Sequence, residues 1–333
     1  MARFPYIDRD KKTIESPHIV ILGAGASKAA FPDGDESHMR LPLMSELIDM
    51  LDLKEAIQDF GYTTPITDFE AFYSEICEDQ KYKKLVEEIN DRVVSYFSKL
   101  TIPSSVTLYD YLVLSLRQKD IVGTFNWDPL LFQAYRRNIE VGNLPKLAFL
   151  HGNVYLGVCK THNRFGYLGT VCQTCKKKLD PTPLMYPTTK KDYDKDSSIK
   201  FQWDMLTDHI NIGYFLTIFG YSAPKTDKEA RKLMYRAWST NKTVDLAQIE
   251  VIDIKDREQL EETWEEFTIR QHYGTLRSFN ESWLWSYPRQ TCEALFDATM
   301  QNDPRRDNPF PITANLSVLQ DFMMNLRVEE LHI

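Results

Sequence analysis

Three polar residues follow two of the short apolar runs in this sequence. Asn126 and Asp128 come directly after one run, and His151 comes directly after the next. An amide, a carboxylate and an imidazole that meet at one place can orient a water molecule, stabilise developing positive charge and accept a proton. Asn126 and Asp128 also suit the cap of a helix that has Pro129 in its first turn. Capping and catalysis are compatible, so the three residues are candidate catalytic groups.

A glycine turn lies near the start of the chain, where Gly-Ala-Gly-Ala-Ser at 23–27 follows an apolar run and precedes good helix formers. A strand, a glycine turn and a helix start together favour a phosphate, because free N–H groups and the helix dipole attract anions. Lys28 stands where the dinucleotide fingerprint requires a third small residue, and Glu46 falls within a predicted helix rather than at a strand end. The turn therefore indicates nucleotide binding and argues against hydride transfer. A tight turn without a ligand is the alternative.

Four metal-ligating residues form two C-x-x-[CH] pairs separated by nine residues: Cys159, His162, Cys172 and Cys175. Two such pairs bring four ligands to one tetrahedral point, which is the Cys3His arrangement of structural zinc. Four filled positions leave no open coordination site, so the zinc is expected to be structural. Lysines at 176–178 and 190–191 would suit a nucleic-acid finger instead. Acidic residues at 192–196 follow them, which is typical of a solvated surface, so nucleic-acid binding is disfavoured.

The elements that must position these groups are strands and helices in alternation. Five short apolar runs predict buried strands of one sheet, at 18–23, 120–125, 147–150, 212–220 and 247–254. Helical patterns separate them, which predicts an α/β fold, a Rossmann-like parallel sheet with helices on both faces. Ligands of open parallel sheets bind beyond the carboxyl ends of the strands. Asn126, Asp128 and His151 are therefore expected to face the same crevice as the glycine turn.

The rest of the chain is assigned around this sheet. A catalytic domain is predicted at 17–255, with a helical insertion at 35–103 and a zinc-ribbon-like module at 153–190. Residues 256–333 are expected to form a helical C-terminal extension that packs on the domain or serves assembly. The aromatic residues Trp283, Trp285 and Tyr287 could carry an interface, although packing on the parent domain is the commoner fate of such side chains.

Composition narrows the function classes. Apolar residues make up 43% of the 333 residues, which is enough for a sizeable core and argues against disorder. The formal charge of −8 gives no overall attraction to a polyanion. No apolar run approaches the ~20 residues that cross a bilayer, and residues 1–12 lack the apolar region of a signal peptide. The chain is expected to be cytoplasmic, without membrane contact.

In order and spacing, these motifs resemble the sirtuin family over about residues 17–255. The resemblance rests on Gly-Ala-Gly-x-Ser at 23–27, Thr-x-Asn-x-Asp at 124–128, His-Gly at 151–152, the Cys cluster, and Phe-Gly-Tyr-Ser at 219–222. The pattern is most similar to the divergent bacterial sirtuin-like NAD hydrolases of anti-phage defence. It also implies a zinc ribbon at this place, with His162 standing where the family usually has a fourth Cys.

The resemblance implies a role for individual residues. Asn126 would position the attacking water or the ribose, Asp128 would lie by the nicotinamide ribose, and His151 would be the base. The residues expected to contact NAD+ are Gly23, Ala24, Gly25, Ser27, Thr124, Gly220, Ser222 and, near the adenosine, Asp253.

One departure from the family helps to choose among activities. Sirtuin deacylases follow the glycine turn with Gly-Ile-Pro-Asp-Phe-Arg, whereas this chain has Phe-Pro-Asp-Gly-Asp at 31–35, without the Phe-Arg pair. The expected activity is therefore hydrolysis of the nicotinamide–ribose bond of NAD+ through an oxocarbenium-like state. An NAD-dependent protein deacylase and a non-catalytic module that senses NAD or ADP-ribose are the alternatives. The resemblance also implies a homo-oligomer, with a defence partner such as a ring ATPase.

Overall fold

The computed structural model describes residues 4–8, 13–188, 191–241, 247–268 and 272–331. The strands are β1 Ile7–Asp8, β2 Thr13–Ile14, β3 His18–Leu22, β4 Ile121–Thr124, β5 Lys146–Phe149, β6 Leu156–Cys159, β7 Arg164–Tyr167, β8 Asp180–Pro181, β9 Phe215–Phe219, β10 Gln248–Ile252 and β11 His272–Leu276. The α-helices are α1 Ala24–Ala30, α2 Leu47–Met50, α3 Leu53–Asp59, α4 Phe69–Glu78, α5 Lys83–Phe97, α6 Leu108–Leu114, α7 Leu130–Arg137, α8 Ser197–Ile210, α9 Lys228–Ser239, α10 Arg257–Thr268, α11 Trp283–Ser286, α12 Thr291–Phe296 and α13 Leu316–Leu331.

Six strands form one parallel sheet in the order β11-β10-β9-β3-β4-β5. β3 lies inside the sheet, so that Leu22 is paired with Thr124 of β4 on one side and with Phe219 of β9 on the other. This is the doubly wound order of a Rossmann-like fold. The predicted α/β class and all five predicted strands are confirmed. Four of the strands are shorter than their apolar runs, and β5 has the predicted length but begins one residue earlier.

Side chains of β3 alternate between two cores. Val20 and Leu22 belong to the core that contains α1–α7, whereas Ile19 and Ile21 belong to the core that contains α8–α10 and α12. All four are at most 1% exposed. Because successive side chains of a strand point to opposite faces, a strand that is apolar throughout must be covered on both sides. The predicted helices on both faces are thereby confirmed.

The C-terminal tail departs from the sequence-based expectation, because it is not purely helical. β11 lies at the edge of the main sheet, in parallel register with β10. The predicted interface aromatics pack on the domain: the Trp285 ring lies 4.8 Å from Tyr111, and the Trp283 ring lies 5.9 Å from Phe215. Among the described residues, none of the helices is both long and apolar enough to cross a membrane.

The span expected to be a helical insertion contains α2–α5. Its apolar faces, with Leu47, Ile76 and Ile89, belong to the same core as the β3 residues Val20 and Leu22. The insertion therefore covers one face of the sheet near α1, the helix that begins at the glycine turn.

Candidate functional site

The direction of strand addition reverses at β3. From β3 the chain adds β4 and β5 on one side, then returns and adds β9, β10 and β11 on the other. In open parallel sheets a crevice forms where the order reverses, beyond the carboxyl ends of the two central strands. β3 ends immediately before Gly23, and β9 ends immediately before Gly220. Both predicted glycine turns therefore lie at the switch point.

The two glycine turns are in direct backbone contact. The Gly25 N–H donates to the Gly220 carbonyl at 3.0 Å, and the Gly23 N–H donates to the Phe219 carbonyl at 3.1 Å. A Cβ on Gly23 would lie 2.5 Å from the Gly220 oxygen, and a Cβ on Gly220, where φ is +60°, would lie 2.2 Å from the Ala26 nitrogen. Glycine is required at both positions because the two turns approach each other closely, whether or not a ligand binds there.

This packing changes which N–H groups could meet an anion. The Gly25 and Ala26 N–H groups both donate to protein carbonyls. Among the described residues, no group accepts from the Ala24 N–H in the first turn of α1, and Ala24 is half-exposed. Of the groups predicted to bind an anion at this turn, the Ala24 N–H and the dipole of α1 remain available.

Asn126 is tied to the first glycine turn through its side-chain amide. Its Nδ2 donates to the Gly23 carbonyl at 2.9 Å and to the Ser27 Oγ at 2.8 Å. Because a carbonyl oxygen only accepts, the amide nitrogen must face Gly23. Among the described residues, no group donates to the Asn126 Oδ1, so this oxygen is an unused acceptor at the edge of the crevice.

Asp128 is joined to the same group and also begins a helix. Its Oδ2 accepts from the Ser27 hydroxyl at 2.7 Å, and its Oδ1 accepts from the Leu130 N–H at 3.0 Å, at the start of α7. Asp128 is only 4% exposed. Burial raises the pKa of Asp128, and its hydrogen bonds to Ser27 and Leu130 oppose that rise. Asp128 thus makes one hydrogen bond to the start of α7, whose N-cap is Pro129, and this bond coexists with the link to Ser27. Among the described residues, Asn126 makes no such bond to the helix.

Tyr109 also belongs to this group, although no pattern in the sequence predicts it. Its hydroxyl lies 2.6 Å from the Ser27 Oγ and 3.3 Å from the Asn126 Nδ2. Burial raises the pKa of Tyr109 well above its ordinary value, so the hydroxyl keeps its proton. Tyr109 is one of two tyrosines in the largely buried helix α6, and its sequence context gives no signal that separates it from a core residue. Only the fold brings it to Ser27.

His151 belongs to a second group of buried side chains. Its Nε2 lies 3.0 Å from the Tyr193 hydroxyl and 3.8 Å from the Asp227 Oδ1. Asp227 also pairs with the Lys191 ammonium and accepts from the Tyr221 hydroxyl. Burial and the nearby Lys191 lower the pKa of His151 to about 3, so the imidazole is neutral at physiological pH.

The two groups lie at the ends of neighbouring strands without a hydrogen bond between them in the described chain. Phe125 separates them: its ring lies edge-on to His151 at 4.8 Å and is stacked on Tyr221 at 4.1 Å. The structure thus brings Asn126 and Asp128 together through Ser27 and places His151 in an adjacent group.

Four residues predicted to contact NAD+ lie at or just after the ends of β4, β9 and β10: Thr124, Gly220, Ser222 and Asp253. Thr124 Oγ1 accepts from the Asn126 N–H at 3.1 Å, so it shapes the turn after β4. Gly220 donates its N–H to Ile252 at the end of β10, next to Asp253. Asp253 is half-exposed and accepts from the Lys255 N–H, whereas Ser222 is exposed. Their contact with NAD+ stays a prediction.

The four predicted metal ligands converge. Their ligand atoms all lie within 4.8 Å of one another. The Cys159 Sγ is 3.5 Å from the His162 Nδ1 and 3.6 Å from the Cys175 Sγ, and the Cys172 Sγ is 3.8 Å from the His162 Nδ1. Tetrahedral zinc with ordinary bond lengths requires separations of roughly 3.6–3.8 Å between such atoms. The donor set and its spacing therefore fit Zn2+.

The surrounding module supports this cluster. β6 forms antiparallel pairs with both β7 and β8, which brings Cys159 at the end of β6 towards the second Cys pair. Hydrogen bonds from the Cys175 and Thr174 backbone N–H groups lower the pKa of the Cys172 thiol to about 6, whereas burial raises the pKa of the Cys159 thiol. A thiol of lowered pKa is readily deprotonated, as a zinc ligand must be.

Comparison with known proteins gives structural similarities alone. No family model and no curated protein matches the chain. A solved Sir2 homologue–NAD complex is 13% identical over 90% of this chain and 97% of the other, with a TM-score of 0.42. A mutant Sir2 homologue with ADP ribose is 13% identical over 87% and 94%, with a TM-score of 0.41. Sir2 with an inhibitor, 2'-O-acetyl-ADP-ribose and a deacetylated p53 peptide is 11% identical over 86% and 94%, with a TM-score of 0.39.

Proposed function

We propose that this protein is an NAD+ glycohydrolase that cleaves the nicotinamide–ribose bond to give nicotinamide and ADP-ribose. The observation that carries the proposal is the fixed amide of Asn126 at the switch point of the sheet. Its nitrogen is held by Gly23 and Ser27, which leaves Oδ1 as an acceptor for a ribose hydroxyl or a water. The motif resemblance described above supports NAD+ as the ligand.

The proposed chemistry follows from the charges of substrate and site. The pyridinium is a good leaving group without protonation, so the barrier depends on stabilising an oxocarbenium-like ribose. Asn126 Oδ1 holds the ribose or the water. Asp128, with both oxygens already bonded inside the protein, supplies a buried negative charge through Ser27 and does not contact the substrate. The Ala24 N–H and the α1 dipole favour the pyrophosphate.

His151 serves as the base in this proposal. The pKa of about 3 keeps the imidazole neutral but makes it a weak base in this arrangement, in which the Tyr193 hydroxyl lies against its Nε2 and only 5% of the residue is exposed. Turnover therefore requires Tyr193 to move away from His151. Such a resting arrangement suits an enzyme that must not consume NAD+ until it is triggered. We propose that homo-oligomer assembly, or a defence partner such as a ring ATPase, controls the activity.

Two further parts of the proposal concern the metal and the setting. Cys159, His162, Cys172 and Cys175 would hold one Zn2+, which supplies only structural cross-linking since all four positions are filled. We further propose a cytoplasmic effector that depletes NAD+ in bacterial anti-phage defence.

The experiment is to mix the purified protein with NAD+ and follow nicotinamide and ADP-ribose by chromatography, with and without an acyl-lysine peptide. Release of both products without peptide is expected. Release only with peptide would instead indicate a deacylase, and binding without release would indicate a sensor. Asn126→Ala and His151→Ala should lower kcat at least ~100-fold. Asn308→Ala, which removes an exposed asparagine far along the chain, should not change turnover.

A further inference from the structure

Tyr109 is held rigidly beside the candidate site. It lies in the first turn of α6, where Thr107 and Asp110 form a capping box. Arg137 and Asn138 bind the Asp110 carboxylate from the neighbouring helix end. The Tyr109 residue is 0% exposed. The start of α6 thus holds the Tyr109 hydroxyl beside the glycine turn.

The proton of Tyr109 has one available acceptor. Within the described chain, its hydroxyl contacts only the Ser27 Oγ and the Asn126 Nδ2, and the amide nitrogen can only donate. Tyr109 must therefore donate to Ser27. Reversing this bond would leave a buried O–H without an acceptor, which is unfavourable.

This direction fixes every other proton in the group. Ser27 accepts from Tyr109 and from Asn126, so its single proton goes to the Asp128 Oδ2. The chain of bonds runs from Tyr109 through Ser27 to Asp128. The Asn126 amide joins it at Ser27 with its nitrogen facing inwards.

We propose that Tyr109 is a positioning residue for the reaction, which acts through Ser27 to hold Asn126 and Asp128 in place. This rests on the proposed function. Tyr109 does not contact the substrate. It completes the three hydrogen bonds of the Ser27 hydroxyl, and thereby keeps the Asn126 Oδ1 directed to the crevice.

The test compares Tyr109→Phe with Tyr111→Phe on the same helix. The Tyr111 hydroxyl bonds to Pro311 and Thr313 of the C-terminal tail, away from the site, and so provides a matched loss of one buried hydroxyl. For Tyr109→Phe, kcat should fall about tenfold while KM stays within about twofold. The reason is that the lost hydrogen bond disturbs the orientation of Asn126 rather than the binding of the substrate. Tyr111→Phe should leave both constants unchanged, although it lowers Tm.

A second readout does not need turnover. In 15N-labelled protein the side-chain amide pair of Asn126 is assigned from its absence in Asn126→Asp. Its hydrogen exchange should be at least about tenfold faster in Tyr109→Phe and unchanged in Tyr111→Phe, because the lost hydroxyl frees Ser27 to rotate and lets water reach the amide.

The outcomes separate the two proposals. If the wild type releases no nicotinamide under any condition, the proposed function fails, and the amide exchange alone decides the role of Tyr109. Unchanged kcat together with unchanged exchange in Tyr109→Phe would overturn the positioning role even if the enzyme is active. A rise in KM with constant kcat would also overturn it, since that indicates lost substrate binding.

Discussion

Replacement of Gly220 by alanine is the sharpest test of the packing between the two glycine turns. The new Cβ would lie 2.2 Å from the Ala26 nitrogen and 2.4 Å from the Gly25 carbonyl carbon, at a backbone φ of +60°. The left-handed conformation costs an alanine about 1–2 kcal/mol. Overpacking against backbone atoms, which cannot move aside as a side chain can, adds about 1–3 kcal/mol. The free energy of unfolding should therefore fall by about 2–5 kcal/mol.

Gly61→Ala is the matched control. Gly61 has a similar φ of +74°, and no described atom lies within 4 Å of its hypothetical Cβ, so only the conformational cost of about 1–2 kcal/mol applies. Urea denaturation followed by tryptophan fluorescence measures both variants. The difference between them, about 1–3 kcal/mol, isolates the contact between the turns. If Gly220→Ala is no more destabilising than Gly61→Ala, the turns do not pack as described.

The remaining predictions address the metal, a buried acid and substrate choice. Cys172→Ser should lose the bound zinc and lower Tm, whereas Cys77→Ser, outside the cluster, should keep about one zinc per chain by mass spectrometry; equal zinc content would contradict the site. Burial raises the pKa of Glu250 from 4.5 to about 7, so the folded protein holds this proton more tightly than the unfolded chain does. The free energy of unfolding should therefore fall by ~3 kcal/mol as the pH rises from about 4.5 to 7, and then level off. Glu250→Gln should remove that fall, and a pH profile unchanged from the wild type would refute it. Asp253→Ser should raise NADP+ hydrolysis relative to NAD+ about tenfold, because an acidic group repels a 2'-phosphate; an unchanged ratio would remove Asp253 from the site.

Much of the fold could be predicted because the central strands are buried on both faces. The run that contains β3 is apolar almost throughout, and such runs mark internal parallel strands. β11 was missed for the opposite reason. It lies at the sheet edge, where His272 and Tyr273 are exposed, so its sequence carries no continuous apolar signal.

The candidate site was predictable where its residues follow strand ends. Asn126, Asp128 and the glycine turn could be placed together because the carboxyl ends of parallel strands share one edge. The partners Tyr109 and Lys191 could not, since each belongs to a distant part of the chain and resembles an ordinary core or surface residue. The contact between Gly220 and the turn at 23–27 could not be predicted either, because the sequence does not show that the two glycine turns are neighbours.

A crystal structure with ADP-ribose decides whether the switch point of the sheet is the nucleotide site. The pyrophosphate is expected beside the Ala24 N–H, with a ribose hydroxyl within hydrogen-bond distance of the Asn126 Oδ1. ADP-ribose bound away from the switch point, for example in the cavity of about 460 Å³ lined by Phe132, Leu147 and Phe201, would contradict it.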